Sequence, residues 1–300
     1  MLTPDAVMRR LRPRRREADD AGEQLREELH ALAAVVERLR EEVGMWQELS
    51  APGPERPLIL GAGDRRDARR VLCSLAVGPY VDLLAISSIT FETYAALHGY
   101  DLRLSTQLLD QGRPPAWSKI ALVRQLLEDY EEVLWVDADA IFLDISKDIA
   151  ELIRPDKDLY LVEHLWEADE TWRSANTGVF LVRSTPWARR FLDRVWAAEQ
   201  YVDHPWWENA AVLDLLGYEL PPDLTPPRKV RRTEFEERVE LIDLEWNSTA
   251  GASLAPRPRI RHHGRTSDMP ELRRRLLEDL ITFRRHLSQL PNPGARESER

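Results

Sequence analysis

The sequence contains a single cysteine, Cys73, which lies inside the apolar run VLCSLAV. One cysteine excludes a disulfide framework and also a thiolate metal cluster. No stretch of about 18 apolar residues occurs, so no transmembrane span is expected. The first residues, MLTPDAVMRRLRPRRREADD, lack the apolar segment of a signal peptide. Together these absences predict a cytoplasmic protein.

Positive charge is also scarce, because 42 Lys and Arg stand against 52 Asp and Glu, a formal net charge of −10. This balance argues against nonspecific nucleic-acid binding. It also means that an anionic ligand needs a local cation. The apolar fraction of 43% is enough for a substantial core, and 300 residues fit one large domain with extensions or two small domains.

The N-terminal residues 1–49 are predicted to form a basic tail and a coiled-coil helix. The basic run at residues 9–16 is interpreted as a solvated tail, with peripheral contact to acidic lipids at the inner membrane face, or to an acidic partner, as the alternative. A heptad seam then predicts a homodimer through residues 25–46, and docking on the protein's own body is the alternative. The apolar positions of the seam are Leu25, Leu29, Leu32, Val36, Leu39, Val43 and Trp46. Residues 50–69 are the predicted linker.

From residue 71 the hydrophobic pattern is typical of an α/β domain. Strands are predicted for VLCSLAV, DLRLSTQ and EEVLWV. A helix is predicted between each pair of strands: first residues 80–98, ending before Gly99, and then PPAWSKIALVRQLLEDY. This alternation indicates a Rossmann-like, mostly parallel sheet flanked by helices, predicted to extend over residues 70–268. Residues 269–300 are predicted to form a C-terminal amphipathic helix and a polar tail.

Two carboxylates follow the apolar strand within VLWVDADAIFLD, residues 133–144. Residues two apart on a strand point the same way, so Asp137 and Asp139 can share one face. The apolar IFLD that resumes directly after them indicates a short functional turn rather than a surface loop. They lie at the carboxyl end of a predicted parallel strand, where open α/β sheets bind ligands. Mg²⁺ and Mn²⁺ prefer carboxylate oxygens together with substrate phosphates. The pattern therefore predicts a metal held between the protein and a diphosphate.

A phosphatase site is a competing interpretation of the two aspartates, because some phosphatases also place Asp-x-Asp after an apolar strand. In those enzymes the motif lies near the start of the domain and continues with Gly and Thr. Here Ala140 and Ile141 follow, and two α/β units precede the motif. We therefore set the phosphatase interpretation aside.

Three further groups of polar and aromatic residues are candidate ligand contacts. Asn176 precedes a flexible glycine in ANTG, and HPWWENAA offers Trp206 and Trp207 beside Glu208 and Asn209. Aromatic faces stack on sugar rings, whereas Glu and Asn can bind hydroxyls; ordinary packing is the alternative for either Trp. The histidines of IRHHG are candidate metal ligands, with simple surface exposure as the alternative.

These motifs occur in an order that resembles a known family. VLWVDADAIFLD, ANTGVFLVRSTPWARRFLDRVW, HPWWENAAVL, LEWNS and RHHG resemble the galactosyl/mannosyl/xylosyltransferase family, which includes fungal mannan and plant xyloglucan enzymes. The resemblance covers roughly residues 70–265 and leaves out the heptad helix and the C-terminal helix. It implies a GT-A fold and a metal-dependent, retaining transfer of a hexose or pentose from a nucleotide-diphosphate sugar to a sugar, lipid, natural-product or protein acceptor.

The resemblance also implies roles for individual residues. Asp137 and Asp139 match the family's pair of ligands for Mn²⁺ or Mg²⁺. One histidine of RHHG matches its late metal ligand, and His262 is preferred over His263 because an aromatic residue follows the ligand in the family. The expected donor contacts are Lys119, Ser74, Asp137 and Ala138. The expected catalytic residues are Glu208, Asn209 and Asn176, and Trp-Glu-Asn stands here where relatives often show Asp-Gln.

Two functional hypotheses follow from the sequence. The first is an active glycosyltransferase, in which Glu208 is the candidate nucleophile unless the acceptor attacks from the front face. The second is a non-catalytic nucleotide-sugar-binding or scaffold protein of the same fold, assembled through its coiled coil. The intact set Asp137, Asp139, Asn176 and His262 favours the first hypothesis.

Overall fold

The computed structural model of the chain describes residues 59–60, 68–166, 169–221, 226–249, 253–264 and 268–287. The basic tail, the heptad seam and most of the linker lie outside these residues. The homodimer through residues 25–46 and the domain boundaries therefore stay predictions. Among the helices of the described ranges, none is both long and apolar enough to cross a membrane.

A seven-stranded sheet organises the described fold. Its strands are β1 (Ile59–Leu60), β2 (Arg70–Leu75), β3 (Asp101–Ser105), β4 (Glu132–Val136), β6 (Leu159–Trp166), β7 (Asp169–Arg183) and β10 (Val239–Ile242). They lie in the order β1-β3-β2-β4-β7-β6-β10. Five strands run in one direction, whereas β1 and β7 run antiparallel to their neighbours. The predicted mostly parallel sheet is confirmed, although the TGVFLVRS strand runs against the five parallel strands.

Both faces of the central strands are covered, which explains why VLCSLAV and VLWV are continuously apolar. Val71 and Cys73 belong to one core cluster, and the residue between them, Leu72, is also fully buried. Alternate residues of a strand point to opposite faces. Burial of all three residues therefore requires a layer on each side of β2.

The described ranges contain five helices: α1 (Tyr80–His98), α2 (Ser118–Leu126), α3 (Pro186–Trp196), α4 (Trp207–Leu215) and α5 (Met269–Leu287). Of these, α1, α2 and α4 pack against strands of the seven-stranded sheet. As predicted, α1 ends at Gly99, whose φ of 75° is the left-handed conformation that glycine adopts without strain. Thr185 caps α3 by accepting a hydrogen bond from Ala188 N at 3.2 Å, and Pro186 occupies its first turn.

A small second sheet brings the C-terminal motif to the end of β4. Its strands are β5 (Ala140–Phe142), β11 (Ser248–Thr249) and β12 (Ile260–His262), in the order β11-β12-β5. In the antiparallel pair of β12 and β5, His262 lies opposite Ala140. This register places the RHHG motif beside the aspartates, which the chain order alone could not show. A hairpin of β8 (Tyr218–Glu219) and β9 (Arg228–Lys229) completes the described strands.

Helix α5 packs on the body of the fold, against α1 and β5. Leu272, Leu276 and Leu280 are fully buried, and their spacing of four residues places them along one side of the helix. The predicted amphipathic helix is therefore present, and its apolar side contacts the rest of the fold.

Candidate active site

The aspartate pair lies in a tight turn. Strand β4 ends at Val136, and Ala140 N donates to Asp137 O at 3.0 Å across the turn. The short turn indicated by the sequence is therefore confirmed, and the aspartates lie in this turn rather than in the extended strand. Their position directly after the carboxyl end of β4 is confirmed, and Asp137 N is held by Gly178 O at 2.8 Å.

His262 meets both aspartates at this turn. Its Nε2 atom lies 3.3 Å from Asp139 Oδ1 and 3.8 Å from Asp137 Oδ2. One ligand atom from each of the three residues lies within 4.8 Å of the others. Carboxylate oxygens and an imidazole nitrogen at this spacing can hold a divalent metal ion.

A chain of hydrogen bonds orients the His262 ring. Asn247 Nδ2 donates to Asn176 Oδ1 at 2.8 Å, so Asn247 Oδ1 is left to accept from His262 Nδ1 at 3.0 Å. The Nδ1 atom therefore carries a proton, and Nε2 is the ring atom that can lose its proton to bind a metal ion. Asn247 lies in the LEWNS motif but was not predicted as a site residue. Its side-chain amide, inside a motif that matches the family, was the one feature that could have indicated its role.

Two glycines make room for the same ring. A β-carbon on Gly178 would overlap with His262 Cε1, and one on Gly264 would lie 2.7 Å from His262 Nε2. Any larger residue at these positions would displace the ring or cover its Nε2 atom. The space around His262 Nε2 therefore depends on glycine on both sides.

His263 points away from the aspartates. Its Nε2 atom contacts Asp279 Oδ2 of α5 at 2.8 Å, and its backbone N donates to Asp139 O at 3.0 Å. Of the two histidines that the sequence left open, His262 is therefore the one in the cluster. Asp279, missed by sequence reasoning, also forms an ion pair with Arg261.

Lys119 joins the metal-competent cluster to the catalytic candidates. Its Nζ atom lies 2.9 Å from Asp137 Oδ1 and 2.8 Å from Glu208 Oε1, and it donates to Thr177 O at 3.0 Å. Burial lowers the pKa of Lys119, but the carboxylates of Asp137 and Glu208 raise it, and the net shift is upward. The amine is therefore a permanent buried cation in the pH range of function.

Glu208 and Asn209 are fixed from β7. Thr177 Oγ1 donates to Glu208 Oε1 at 3.0 Å, and Thr177 N donates to Asn209 Oδ1 at 3.0 Å. Thr177 is available because the ladder between β6 and β7 is irregular: Leu161 pairs with Phe180, but the next residue, Val162, pairs with Asn176. A bulge of this kind redirects the residues it leaves unpaired. Thr177 and Gly178, which have no partner in β6, therefore reach the site from inside one long strand, next to the paired Asn176.

A cavity of about 680 Å³ contains most of the predicted site residues. Its lining includes Lys119, Asp137, Ala138, Asp139, Asn176, Glu208, Asn209 and His262, together with Tyr80, Trp206 and Trp207. Ser74, a predicted donor contact, is fully buried and is not among the lining residues; Leu75, Ala76 and Val77 line the wall instead. The structure thus brings eight of the ten predicted site residues to one cavity, and Ser74 and His263 are the two that do not line it.

The charges in the cavity suit a cation. Asp137, Asp139 and Glu208 face Lys119, the single Lys or Arg among the described lining residues. Burial raises the pKa of Asp139, but the protonated His262 ring, a backbone hydrogen bond and the charge of Lys119 together lower it more, so the net shift is downward. Three features therefore fit a divalent ion: the excess of carboxylates, the His262 Nε2 atom beside them, and the space that Gly178 and Gly264 leave around that ring.

Comparison with known proteins agrees with this geometry. A model of the galactosyl transferase GMA12/MNN10 family matches residues 90–166, a range that includes Lys119 and both aspartates. The chain resembles this family. The resemblance predicted from the sequence motifs is therefore confirmed.

Two curated plant proteins are similar to parts of the chain. One is xyloglucan 6-xylosyltransferase 2 of Arabidopsis thaliana, 32% identical over 155 residues, or 48% of this chain and 31% of that protein. The other is galactomannan galactosyltransferase 1 of Cyamopsis tetragonoloba, 33% identical over 112 residues, or 35% of this chain and 25% of that protein. The chain thus spans about a third or less of the length of the curated relatives it matches.

The fold is shared with a solved glycosyltransferase involved in the glycosylation of the major capsid of PBCV-1. The TM-score is 0.50 at 19% sequence identity, over 69% of this chain and 98% of that chain. The mixed α/β fold with its mostly parallel sheet resembles the GT-A glycosyltransferases.

Proposed function

We propose that this chain is a glycosyltransferase that moves a hexose or pentose from a nucleotide-diphosphate sugar to an acceptor, with retention of configuration. The convergence of Asp137, Asp139 and His262 in the cavity that holds Lys119 and Glu208 carries the proposal. The family match and the shared fold support the same class of reaction.

Asp137, Asp139 and His262 would hold Mn²⁺ or Mg²⁺. The bound ion would supply a Lewis acid for the leaving diphosphate, whose charge grows as the glycosidic bond breaks. The protein's own contribution here is to hold three ligands in a buried, preorganised arrangement, in which Asn247 fixes the ring of His262. A net charge of −10 would otherwise oppose binding of an anionic donor.

Glu208 and Asn209 would orient the transferred sugar. Glu208 Oε1 is engaged by Lys119 and Thr177, whereas Oε2 is buried and has no hydrogen-bond partner among the described residues. A buried acceptor without a partner is costly. A sugar hydroxyl would satisfy it, and the amide Nδ2 of Asn209 would offer a donor beside it.

Retention can follow either of two routes. In the front-face route the acceptor oxygen bonds to the anomeric carbon as the bond to the leaving phosphate breaks, and the acceptor proton passes to a phosphate oxygen. In double displacement Glu208 Oε2 first bonds to that carbon as the bond to the leaving phosphate breaks. The acceptor oxygen then bonds to the carbon as the bond to Glu208 breaks, and the acceptor proton passes to a phosphate oxygen. The ammonium of Lys119, 2.8 Å from Glu208 Oε1, stabilises the carboxylate and lowers its nucleophilicity. The contacts of Glu208 therefore favour the front-face route.

Hydrolysis of a set of nucleotide-diphosphate sugars with Mn²⁺ tests the proposal. Asp139→Ala is expected to lower turnover at least 100-fold, since it removes a metal ligand. Asp144→Ala is the matched control, because Asp144 belongs to the same motif but pairs with Arg259 at 2.8 Å outside the cavity. Equal turnover in parent and Asp139→Ala would refute catalysis at this site. Donor binding in calorimetry without any turnover would instead favour the non-catalytic binding protein.

A further inference from the structure

The backbone of Trp207 has an unusual conformation. Its φ of 43° is the only positive value at a non-glycine position within the described ranges. The left-handed region disfavours bulky side chains and is adopted readily by glycine, or by asparagine. The chain therefore carries a tryptophan where the backbone itself favours a much smaller residue.

Burial does not compensate for this strain. The side chain of Trp207 is 44% exposed and lines the cavity. Its neighbour Trp206 packs against the core, and its ring centroid lies 5.5 Å from the centroids of Trp166 and of His204. No aromatic pair of the described residues includes Trp207. Of the two tryptophans that the sequence left open, Trp206 is the packing residue.

The residues on both sides hold Trp207 in place. Before it, His204 O accepts from Trp207 N at 2.8 Å, and His204 Nδ1 accepts from Trp206 N at 3.0 Å. After it, Glu208 is bound by Lys119, and Asn209 is bound by Thr177 N. The backbone that carries the indole is therefore held at the cavity, directly before the residues expected to contact the transferred sugar.

We propose that the Trp207 indole is a stacking platform for a pyranose ring of the acceptor, and that the acceptor is a neutral saccharide or glycoside. The proposal rests on the proposed glycosyltransferase function and names its acceptor class. An aromatic face matches the apolar C–H face of a pyranose ring. The backbone at Trp207 is strained, at φ 43°, although the exposed side chain adds little packing. Strain without a packing benefit is expected of a residue that makes a functional contact.

The charges of the cavity support a neutral acceptor. Lys119 is the single Lys or Arg among its described lining residues, and it is already paired with Asp137 and Glu208. An anionic acceptor would need a second cation beside Trp207. A neutral saccharide needs no such cation, because an aromatic face and hydrogen-bonding groups are sufficient to hold it.

Three variants test the proposal: Trp207→Asn, Trp207→Phe and, as the matched control, Trp206→Ala. The probes are cellobiose, lactose and methyl α-mannopyranoside, titrated to about 50 mM with calorimetry as the readout. Trp207→Asn is expected to weaken probe binding about tenfold, and Trp207→Phe about threefold, because phenylalanine keeps an aromatic face. The melting temperature of Trp207→Asn should equal or exceed that of the parent, because asparagine tolerates positive φ. Trp206→Ala should melt about 5 °C below the parent.

The binding assay is independent of the proposed reaction, so the two proposals can fail separately. If no nucleotide-diphosphate sugar binds the parent in calorimetry with Mn²⁺, the glycosyltransferase proposal fails. Probe binding that Trp207→Asn leaves unchanged, or no binding of any probe by the parent, would overturn the platform. A melting temperature for Trp207→Asn as low as that of Trp206→Ala would make Trp207 a packing residue and would overturn it as well.

Discussion

Asp279 Oδ2 lies 2.8 Å from His263 Nε2, so helix α5 contacts the residue that follows the candidate metal ligand His262. The other oxygen of Asp279 pairs with Arg261, the residue that precedes His262. One buried carboxylate thus holds both neighbours of a ligand in the short strand β12. The C-terminal helix, which the family resemblance leaves out, therefore supports the site directly.

Asp279→Asn is expected to weaken Mn²⁺ binding about tenfold, the lower end of the effect seen when partners that orient a ligand are lost. Arg273→Gln is the matched control, because it removes another ion pair of α5, with Asp82, away from β12. Calorimetric titration with Mn²⁺ measures both variants. Equal Mn²⁺ affinity in Asp279→Asn and the parent would show that α5 has no influence on the ligand set.

Gly178→Ala is expected to lower stability by about 1–3 kcal/mol and Mn²⁺ affinity at least tenfold, because the new methyl group overlaps with the His262 ring. Gly112→Ala is the control: its β-carbon would lie 3.2 Å from Asp110 Oδ1, in an exposed loop, where the side chain can move. Urea denaturation and Mn²⁺ titration measure the two effects. An unchanged Mn²⁺ affinity in Gly178→Ala would mean that the ring does not need this space.

Lys119→Met is expected to destabilise the fold by about 3–5 kcal/mol, because it leaves the carboxylates of Glu208 and Asp137 without their buried cation. Adding Glu208→Gln should restore part of that loss, so the double variant should be more stable than the sum of the single losses predicts. Lys147→Met, at an exposed position, should change stability by about 0.5 kcal/mol or less. Strictly additive losses in urea denaturation would contradict the coupling.

Asp148 should make the free energy of unfolding depend on pH in the acid range. It accepts from Tyr100 OH at 2.8 Å, Tyr94 OH at 3.0 Å and Ala150 N at 3.0 Å, and pairs with Arg70 at 2.5 Å. Burial raises the pKa of Asp148. The hydrogen bonds from Ala150 N and Tyr100 OH, together with the Arg70 charge, lower the pKa by more than burial raises it, so the net shift is downward. The stabilisation is therefore fully present above the unfolded pKa of about 3.9 and is lost as the pH falls through the lower folded pKa.

Asp148→Asn is accordingly expected to cost about 2–4 kcal/mol at pH 7, and its stability should fall less steeply than that of the parent below about pH 4. Asp193→Asn is the control, because Asp193 forms an exposed ion pair with Arg124 that is worth about 1 kcal/mol or less. Urea denaturation between pH 2 and 7 gives both slopes. Parallel pH profiles for parent and Asp148→Asn would contradict the prediction.

The sequence by itself determined the order of strands and helices and the place of the aspartates. Local rules were sufficient there: a continuous apolar run predicts a strand covered on both faces, and a glycine after the apolar period ends α1 at Gly99. The Asp-x-Asp pair was placed correctly at the end of β4, and the apolar residues directly after it indicated the turn in which it lies.

Only the tertiary structure decided how distant segments complete the site. The pairing of β12 with β5 selects His262 over His263, and the bulge in β7 turns Thr177 towards Glu208 and Asn209. The contact of Asp279 with His263 likewise joins residues that no local pattern connects. Register, bulges and helix docking depend on long-range packing, which acts between segments and leaves no periodic signal in either one.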